Sequence, residues 1–146
     1  MKKILLIFLG VVLVFGIDFT FTKAFKSFND GVKLEKKDPQ KAQEYFQKAY
    51  ILINELKETP SSQAYYMLGR MYCNGWGVER NYKKAEEYFK KALKLGNERV
   101  HCCLARLYIR MGKYNEAKKY LKYALNHENL SHYCDDINPT TLKEIK

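Results

Sequence analysis

Proline is scarce in this sequence, with three residues in 146, and glycine is limited to eight. A chain so poor in both is neither a linker nor a low-complexity segment. Acidic side chains are outnumbered as well: 16 Asp and Glu against 26 Lys and Arg leave a formal net charge of +10. Such an excess favours acidic partners, whether protein, anionic headgroup, cell-envelope polymer or nucleic acid, without choosing among them. The two most closely spaced glycines, Gly75 and Gly77 in "CNGWGVERNYKKAEEYF", come after no β-branched run, and no Gly-Lys-Ser/Thr comes after them. A phosphate-cradling loop needs a preceding buried strand and a helix N-terminus facing the anion. Gly75 and Gly77 therefore read as a turn between two helices, with Trp76 and Val78 lining it.

The N-terminus is different in kind. In "MKKILLIFLGVVLVFGIDFTFTKA", Lys2 and Lys3 precede an apolar run from Ile4 to Ile17. That run is short for a membrane span and suits the apolar core of a secretory signal. Thr22-Lys23-Ala24 fits a small-x-small cleavage site, and Val14-Phe15-Gly16 is an earlier option. No cysteine stands directly after the run, which argues against a lipoprotein. The expectation is a signal peptide or uncleaved signal anchor over 1–24 and an exported domain over 25–146, periplasmic or secreted from the bacterial envelope. Membrane contact would then be limited to the N-terminal segment, if it stays uncleaved. Cleavage after Ala24 would also trim the first repeat, which starts near Thr22.

Internal repetition organises the rest. "AYYMLGRMY" (64–72) matches "VHCCLARLY" (100–108) at Leu68/Leu104, Arg70/Arg106 and Tyr72/Tyr108, an offset of 36. "YKKAEEYFKKAL" (82–93) matches "YNEAKKYLKYAL" (114–125) through Ala85/Ala117, Tyr88/Tyr120 and Ala92/Ala124, an offset of 32. The shorter connector "IRMGK" absorbs the difference. A third, degenerate copy lies upstream in "TKAFKSFNDGV" and "DPQKAQEYFQKAYIL", where Ala24, Phe25 and Phe28 pair with Ala64, Tyr65 and Leu68. Apolar residues at i, i+3, i+4 and i+7 in each half-repeat predict helices. Asp38 before Pro39 marks a helix start, and Gly96 and Gly112 mark ends. The alanines seven apart allow a neighbouring helix to approach, and most of the 12 tyrosines sit at helical core spacing. The chain reads as all-α: about three antiparallel helix hairpins (22–57, 61–96 and 97–128), with a cap over 129–146. One hairpin cannot bury its apolar face alone, and stacking several can.

Residues 64–97 resemble a Sel-1-like repeat: Leu68-Gly69-x-x-Tyr72, then Gly75-x-Gly77-Val78, then Lys84-Ala85-x-x-Tyr88-Phe89-x-Lys91-Ala92, with Gly96 closing. The last copy lacks Gly-x-Gly-Val and is closer to a tetratricopeptide repeat. The resemblance implies an α/α solenoid that acts as a protein-binding adapter. A more distant similarity, to the cysteine-rich Hcp group of secreted bacterial proteins, implies penicillin-binding or β-lactamase activity as the alternative function. Ser-x-x-Lys, Lys-Thr-Gly and Ser-Asp-Asn are absent, however, so no serine β-lactamase machinery is legible. The paired-cysteine positions of that group fall here on Leu93 with His101 and Leu125 with Tyr133, and the cysteines stand one residue later, at Cys102 and Cys134.

Cys102 and Cys134 are the disulfide candidates. Each lies 17 residues after an equivalent alanine, Ala85 or Ala117, so both sit at one height on adjacent first helices. Such a pair is bridgeable if the side chains face each other. Cys73 and Cys103 are separated by about 9 Å of helical rise alone. The alternative is that all four cysteines are reduced small hydrophobes. His101 and Cys103 diverge around their helix, so "HCC" and "HYC" do not assemble a zinc site. No catalytic set, metal or cofactor is expected.

First helices line the concave side in this repeat class. The resemblance therefore places Tyr66, Arg70 and Asn74, then Arg99, Cys102, Arg106 and Arg110, on a partner-binding face. Arg70 and Arg106 recur at one repeat position, and guanidinium groups suit carboxylates. The plainer alternative is a solvated basic face with no ligand. The expected partner is an acidic protein or peptide segment and not nucleic acid, given export. In the tail, Pro139 stops helix growth, and Asp135 and Asp136 are expected near the start of a short helix, complementing its dipole.

Overall fold

The computed structural model describes residues 19–56 and 61–137. The apolar run over 4–17 lies outside the described residues, as do the earlier cleavage option at 14–16 and Pro139. Helix α1 is described over 19–34, so the stretch from 19 to 24 is helical and continuous with the rest of α1. Ala24, the residue at the later cleavage option, is fully buried. Then come α2 (Pro39–Glu55), α3 (Ser62–Asn74), α4 (Tyr82–Lys94), α5 (Val100–Arg110), α6 (Tyr114–Leu125), the short α7 (Glu128–Ser131) and a 3-10 turn (His132–Cys134). No strand occurs among the described residues, and none of their helices is long and apolar enough to cross a membrane.

Local chemistry sets the helix boundaries. The Asp38 carboxylate accepts from the Lys41 N–H at 3.0 Å and Pro39 opens α2. Ser61 caps α3 through the Ala64 N–H, and Asn81 caps α4 through the Lys84 N–H. Each cap satisfies a donor that the helix cannot pair internally. At the other end, α3 stops at Gly75, which takes the left-handed conformation.

The chain forms two compact units. The first holds α1, α2 and the tripeptide Trp76–Val78. Its core is aromatic. The Phe46 ring stacks on Trp76 with centroids 4.6 Å apart, and Phe28 meets both edge-on. Indole Nε1 donates to Glu35 at 2.8 Å, which satisfies the polar end of an otherwise buried ring. Gly77 lies so close to α2 that a Cβ would fall 2.6 Å from the Gln47 nitrogen and the Phe46 carbonyl carbon, and the Gln43 side chain accepts its N–H at 2.7 Å. The turn between α3 and α4 is thus a plug for the α1–α2 hairpin, where the sequence indicated only a turn and its lining.

The second unit holds α3 to the cap. Small residues admit large ones across each hairpin. Gly69 on α3 faces the Phe89 ring on α4 so closely that a Cβ would meet it at 2.4 Å. Gly31 receives Phe46 in the same way in the first unit. In the next repeat the equivalent residues are Ala105 and Leu121, a methyl gained on one side and a ring reduced on the other, both in one buried cluster. Ala85, Ala92, Ala117 and Ala124 are fully buried, as are Ala42 and Ala49 at 1% and 0%. A second repeated device is a stacked tyrosine pair: Tyr72 on Tyr88 at 5.6 Å and Tyr108 on Tyr120 at 5.5 Å. The expectation of a tyrosine-rich core needs correction. Of the 12, only Tyr72 and Tyr108 are buried, since a phenol hydroxyl is costly to enclose without a partner. Tyr108 has one, donating to Glu86 at 2.8 Å, and burial together with that carboxylate pushes its pKa up to about 12.

The cap closes the far end. Leu130, Cys134 and Ile137 join Cys102, Ala105, Leu121 and Ala124 in one core cluster. The sulfurs of Cys102 and Cys134 are 1.96 Å apart, a disulfide with Cα atoms at 5.2 Å, while Cys73 and Cys103 are free and buried. Asp135 and Asp136 come after the 3-10 turn and not near its start, so they do not complement its dipole as expected.

This architecture can be tested at two points. Gly77→Ala combines a left-handed backbone (φ 69°) with overlap onto backbone atoms of α2, and is expected to lower the urea-unfolding free energy by about 2–4 kcal/mol. Gly96→Ala has φ 83° but open space, and should lose only about 1–2 kcal/mol. Equal losses would mean that the approach to α2 imposes nothing. Maleimide labelling of denatured, unreduced protein should modify two cysteines, and dithiol reduction should raise that to four while lowering stability by about 2–4 kcal/mol. Four labels before reduction would rule out the bridge.

Candidate functional site

The site is built on the register between α3 and α5. Asn97 Nδ2 donates to the Ser62 carbonyl at 3.5 Å and Arg99 Nη2 to Gln63 Oε1 at 2.7 Å. At the other end, Arg110 Nη1 donates to Asn74 Oδ1 at 2.7 Å and to the Cys73 carbonyl at 3.3 Å. These partners are separated by 35 to 37 residues, one repeat of the sequence, at both ends of the helices. The two helices therefore run parallel and in step, which sets Arg70 and Arg106 at one height.

Between these ends the arginines gather around an aromatic ring. Arg70 Nη1 donates weakly to the Tyr66 hydroxyl at 3.4 Å, with its guanidinium carbon 5.7 Å from the ring centroid. Arg99 stands 5.3 Å from the same centroid and 5.7 Å from that of Tyr133. Burial raises the pKa of the Tyr66 hydroxyl, Cys103 adds to the rise, and Arg70 opposes it. Asn74 Nδ2 closes back on the Arg70 carbonyl at 3.0 Å. Beside Arg99 a cleft of about 330 Å³ opens between Ser62, Gln63, Asn97, Glu98 and Asn129.

Arg106 is engaged differently. Its Nε donates to both Asp136 oxygens, at 3.0 and 2.8 Å, and its Nη2 donates to Asp136 Oδ1 and to the Tyr133 carbonyl. This two-nitrogen grip holds the Asp136 carboxyl below its ordinary pKa.

The structure thus brings together Tyr66, Arg70, Asn74, Arg99, Arg106 and Arg110 in the second unit. Cys102 does not belong with them. It is fully buried and bonded to Cys134, because the cap covers that side of α5. Gln63, Tyr133 and Asp136 belong to the cluster and were not anticipated. Gln63 could have been found from its offset of 36 to Arg99, whereas Asp136 lies beyond the last recognisable repeat and left no such signal.

The arrangement suits anion recognition better than covalent chemistry. Burial pushes the thiols of Cys73 and Cys103 up, despite Arg110 beside the first and Arg106 near the second. Protonated thiols are poor nucleophiles. Ser61 is occupied as a cap, and Ser131 donates to the Glu128 carbonyl. His101 contacts the Glu98 carbonyl through Nδ1 and stacks on Tyr123 at 4.0 Å, while Cys102 is in the disulfide and has no thiolate to offer. Among the described residues no group of three or more His, Cys, Asp or Glu could hold a metal ion.

Parallel first helices in step at one repeat period, with small-to-large contacts closing each hairpin, define an all-α repeat protein. Comparison with family models makes the class specific: Sel1 repeat matches residues 27–52 and 62–97, and tetratricopeptide repeat matches 98–126. The chain is a Sel1-like, tetratricopeptide-like repeat protein. Searches of curated proteins and of solved structures each found no match.

The Asp136 carboxyl provides a direct check on the site. A folded pKa below the unfolded value adds stability above the unfolded pKa, and that stability is lost as pH falls through the folded value. Carbon-detected NMR titration should place Asp136 below the ordinary aspartate value, and Arg106→Gln should return it upward. A titration unmoved by Arg106→Gln would mean that the pair does not form in solution.

Proposed function

We propose that this protein is an exported adapter that binds an acidic segment of a partner protein on the arginine face of α3 and α5. The observation that carries the reading is the convergence of Arg70, Arg99, Arg106 and Arg110 on two helices held in step. Arg99 donates to a neutral amide oxygen, and Arg110 to neutral groups as well. Those contacts orient the guanidinium groups without cancelling their charge, and a carboxylate from outside gains charge-assisted bonds there. Repeat families of this class bind proteins, and that supports a macromolecular ligand over a small one.

Export rests on the lysine-initiated apolar run at 2–17, and the Cys102–Cys134 bridge is in keeping with an oxidising compartment. The β-lactamase alternative rests on resemblance in sequence alone.

Affinity capture tests the adapter reading. The oxidised protein is used as bait in cell-envelope extract at low salt, beside the Arg70→Glu/Arg99→Glu variant. A partner enriched by the wild type and lost by the variant is the expected result. A partner held equally by both would move the site off this face, and no partner at all would end the adapter reading.

A further inference from the structure

Among Arg99, Arg106 and Arg110, it is Arg106 whose guanidinium meets a carboxylate of the described residues, and that carboxylate belongs to the chain's own cap. We propose that Asp136 is a built-in stand-in for the partner's acid, occupying the Arg106 subsite until a peptide carrying several carboxylates displaces it. The inference rests on the adapter reading and deepens it, by naming the ligand chemistry and the step that binding must include.

Three observations support it. The contact has the form of ligand recognition: two nitrogens of one guanidinium grip one carboxylate, and a neighbouring backbone carbonyl, that of Tyr133, takes a further bond. That is how an arginine reads a peptide segment, with side chain and main chain together. The contact is also placed to yield. The Asp136 side chain is 64% exposed, and an ion pair in that setting contributes little net stability. Finally, the cap is anchored independently of the pair. Cys134 is disulfide-bonded to Cys102, one turn before Arg106 on α5, and Leu130 and Ile137 are buried. Release of Asp136 therefore does not require the cap to unfold. The bridge keeps the carboxylate near Arg106 and so sets a high local concentration of the internal competitor.

The physical consequence is a bias in partner choice. A single carboxylate arriving from solution competes with a tethered one and gains little. A segment bearing several acids reaches Arg99 and Arg110 as well, which donate to neutral oxygens, and the added contacts outweigh the lost internal pair. The face then favours clustered acids over isolated ones, and apparent affinity is reduced by the fraction of molecules in which Asp136 is seated.

The test uses fluorescence anisotropy of a fluorescein-labelled oligo-aspartate peptide with the full chain at fixed low salt. Asp136→Asn should bind the peptide about three- to tenfold more tightly than the wild type. Asp135→Asn makes the same change in net charge at an exposed neighbour and should bind as the wild type does. Arg106→Gln should weaken binding in every background. Equal affinity of the wild type, Asp136→Asn and Asp135→Asn, with Arg106→Gln still weakening all, would overturn the stand-in while leaving the arginine face intact. Binding that no arginine substitution weakens would overturn the face and the inference together. A second readout needs no variant: adding the peptide to the wild type should move the Asp136 carboxyl titration up toward the ordinary aspartate value. A titration unmoved at saturating peptide would also overturn the proposal.

Discussion

Each hairpin closes because one helix gives up side-chain volume where the other inserts it. Gly31 accepts the Phe46 ring and Gly69 accepts Phe89, with no space for a Cβ at either glycine. Buried alanines on α2, α4 and α6 keep the second helices equally approachable. The packing of the second unit rests on this closeness. It leaves the first helices free to align with one another, and the hydrogen bonds at both ends of α3 and α5 lock that alignment at one repeat period. Once the helices are in step, a residue type repeated in sequence becomes a row in space. Interiors packed this tightly transmit small errors, so the arginine face depends on hairpin contacts that lie behind it.

The connector between α3 and α4 illustrates how one segment serves two purposes. Gly75 ends a helix by taking a left-handed conformation, a local demand met by a local residue. Trp76 and Gly77 answer a distant demand instead: the ring fills the α1–α2 hairpin, and the glycine lets the backbone lie against α2. The third repeat has no such plug, and its hairpin is completed by the cap and the Cys102–Cys134 bridge. A terminal repeat has no further neighbour to cover its apolar face, so a covalent tie and a few buried side chains stand in for one.

Electrostatics on the arginine face arise from the same geometry. Four guanidinium groups on two neighbouring helices repel each other, and the chain manages this with neutral acceptors, an aromatic ring and the Asp136 carboxylate. Beneath them lie two thiols held neutral by burial. Positive charge at the surface thus lies over thiols kept in their neutral form.

The helical period, the cap at Asp38, the terminal glycines and the repeat offset of 36 were readable in the sequence, because each is a local property or a repetition of one, while the caps at Ser61 and Asn81 came from the structure. For Cys102 and Cys134 the spacing made a bridge feasible and left reduced thiols as the alternative, and the structure decided it by bringing the 3-10 turn of the cap against α5. Three features belong to the tertiary structure alone. The destination of Trp76 depended on which hairpin had a gap of its shape. The small number of buried tyrosines depended on where a hydroxyl finds a partner, which periodicity does not encode. The pairing of Asp136 with Arg106 joins residues 30 apart across a cap that repeats nothing. Sequence determined what recurs along this chain, and the folded structure decided the contacts made once, because a contact without a repeat has no pattern to be read from.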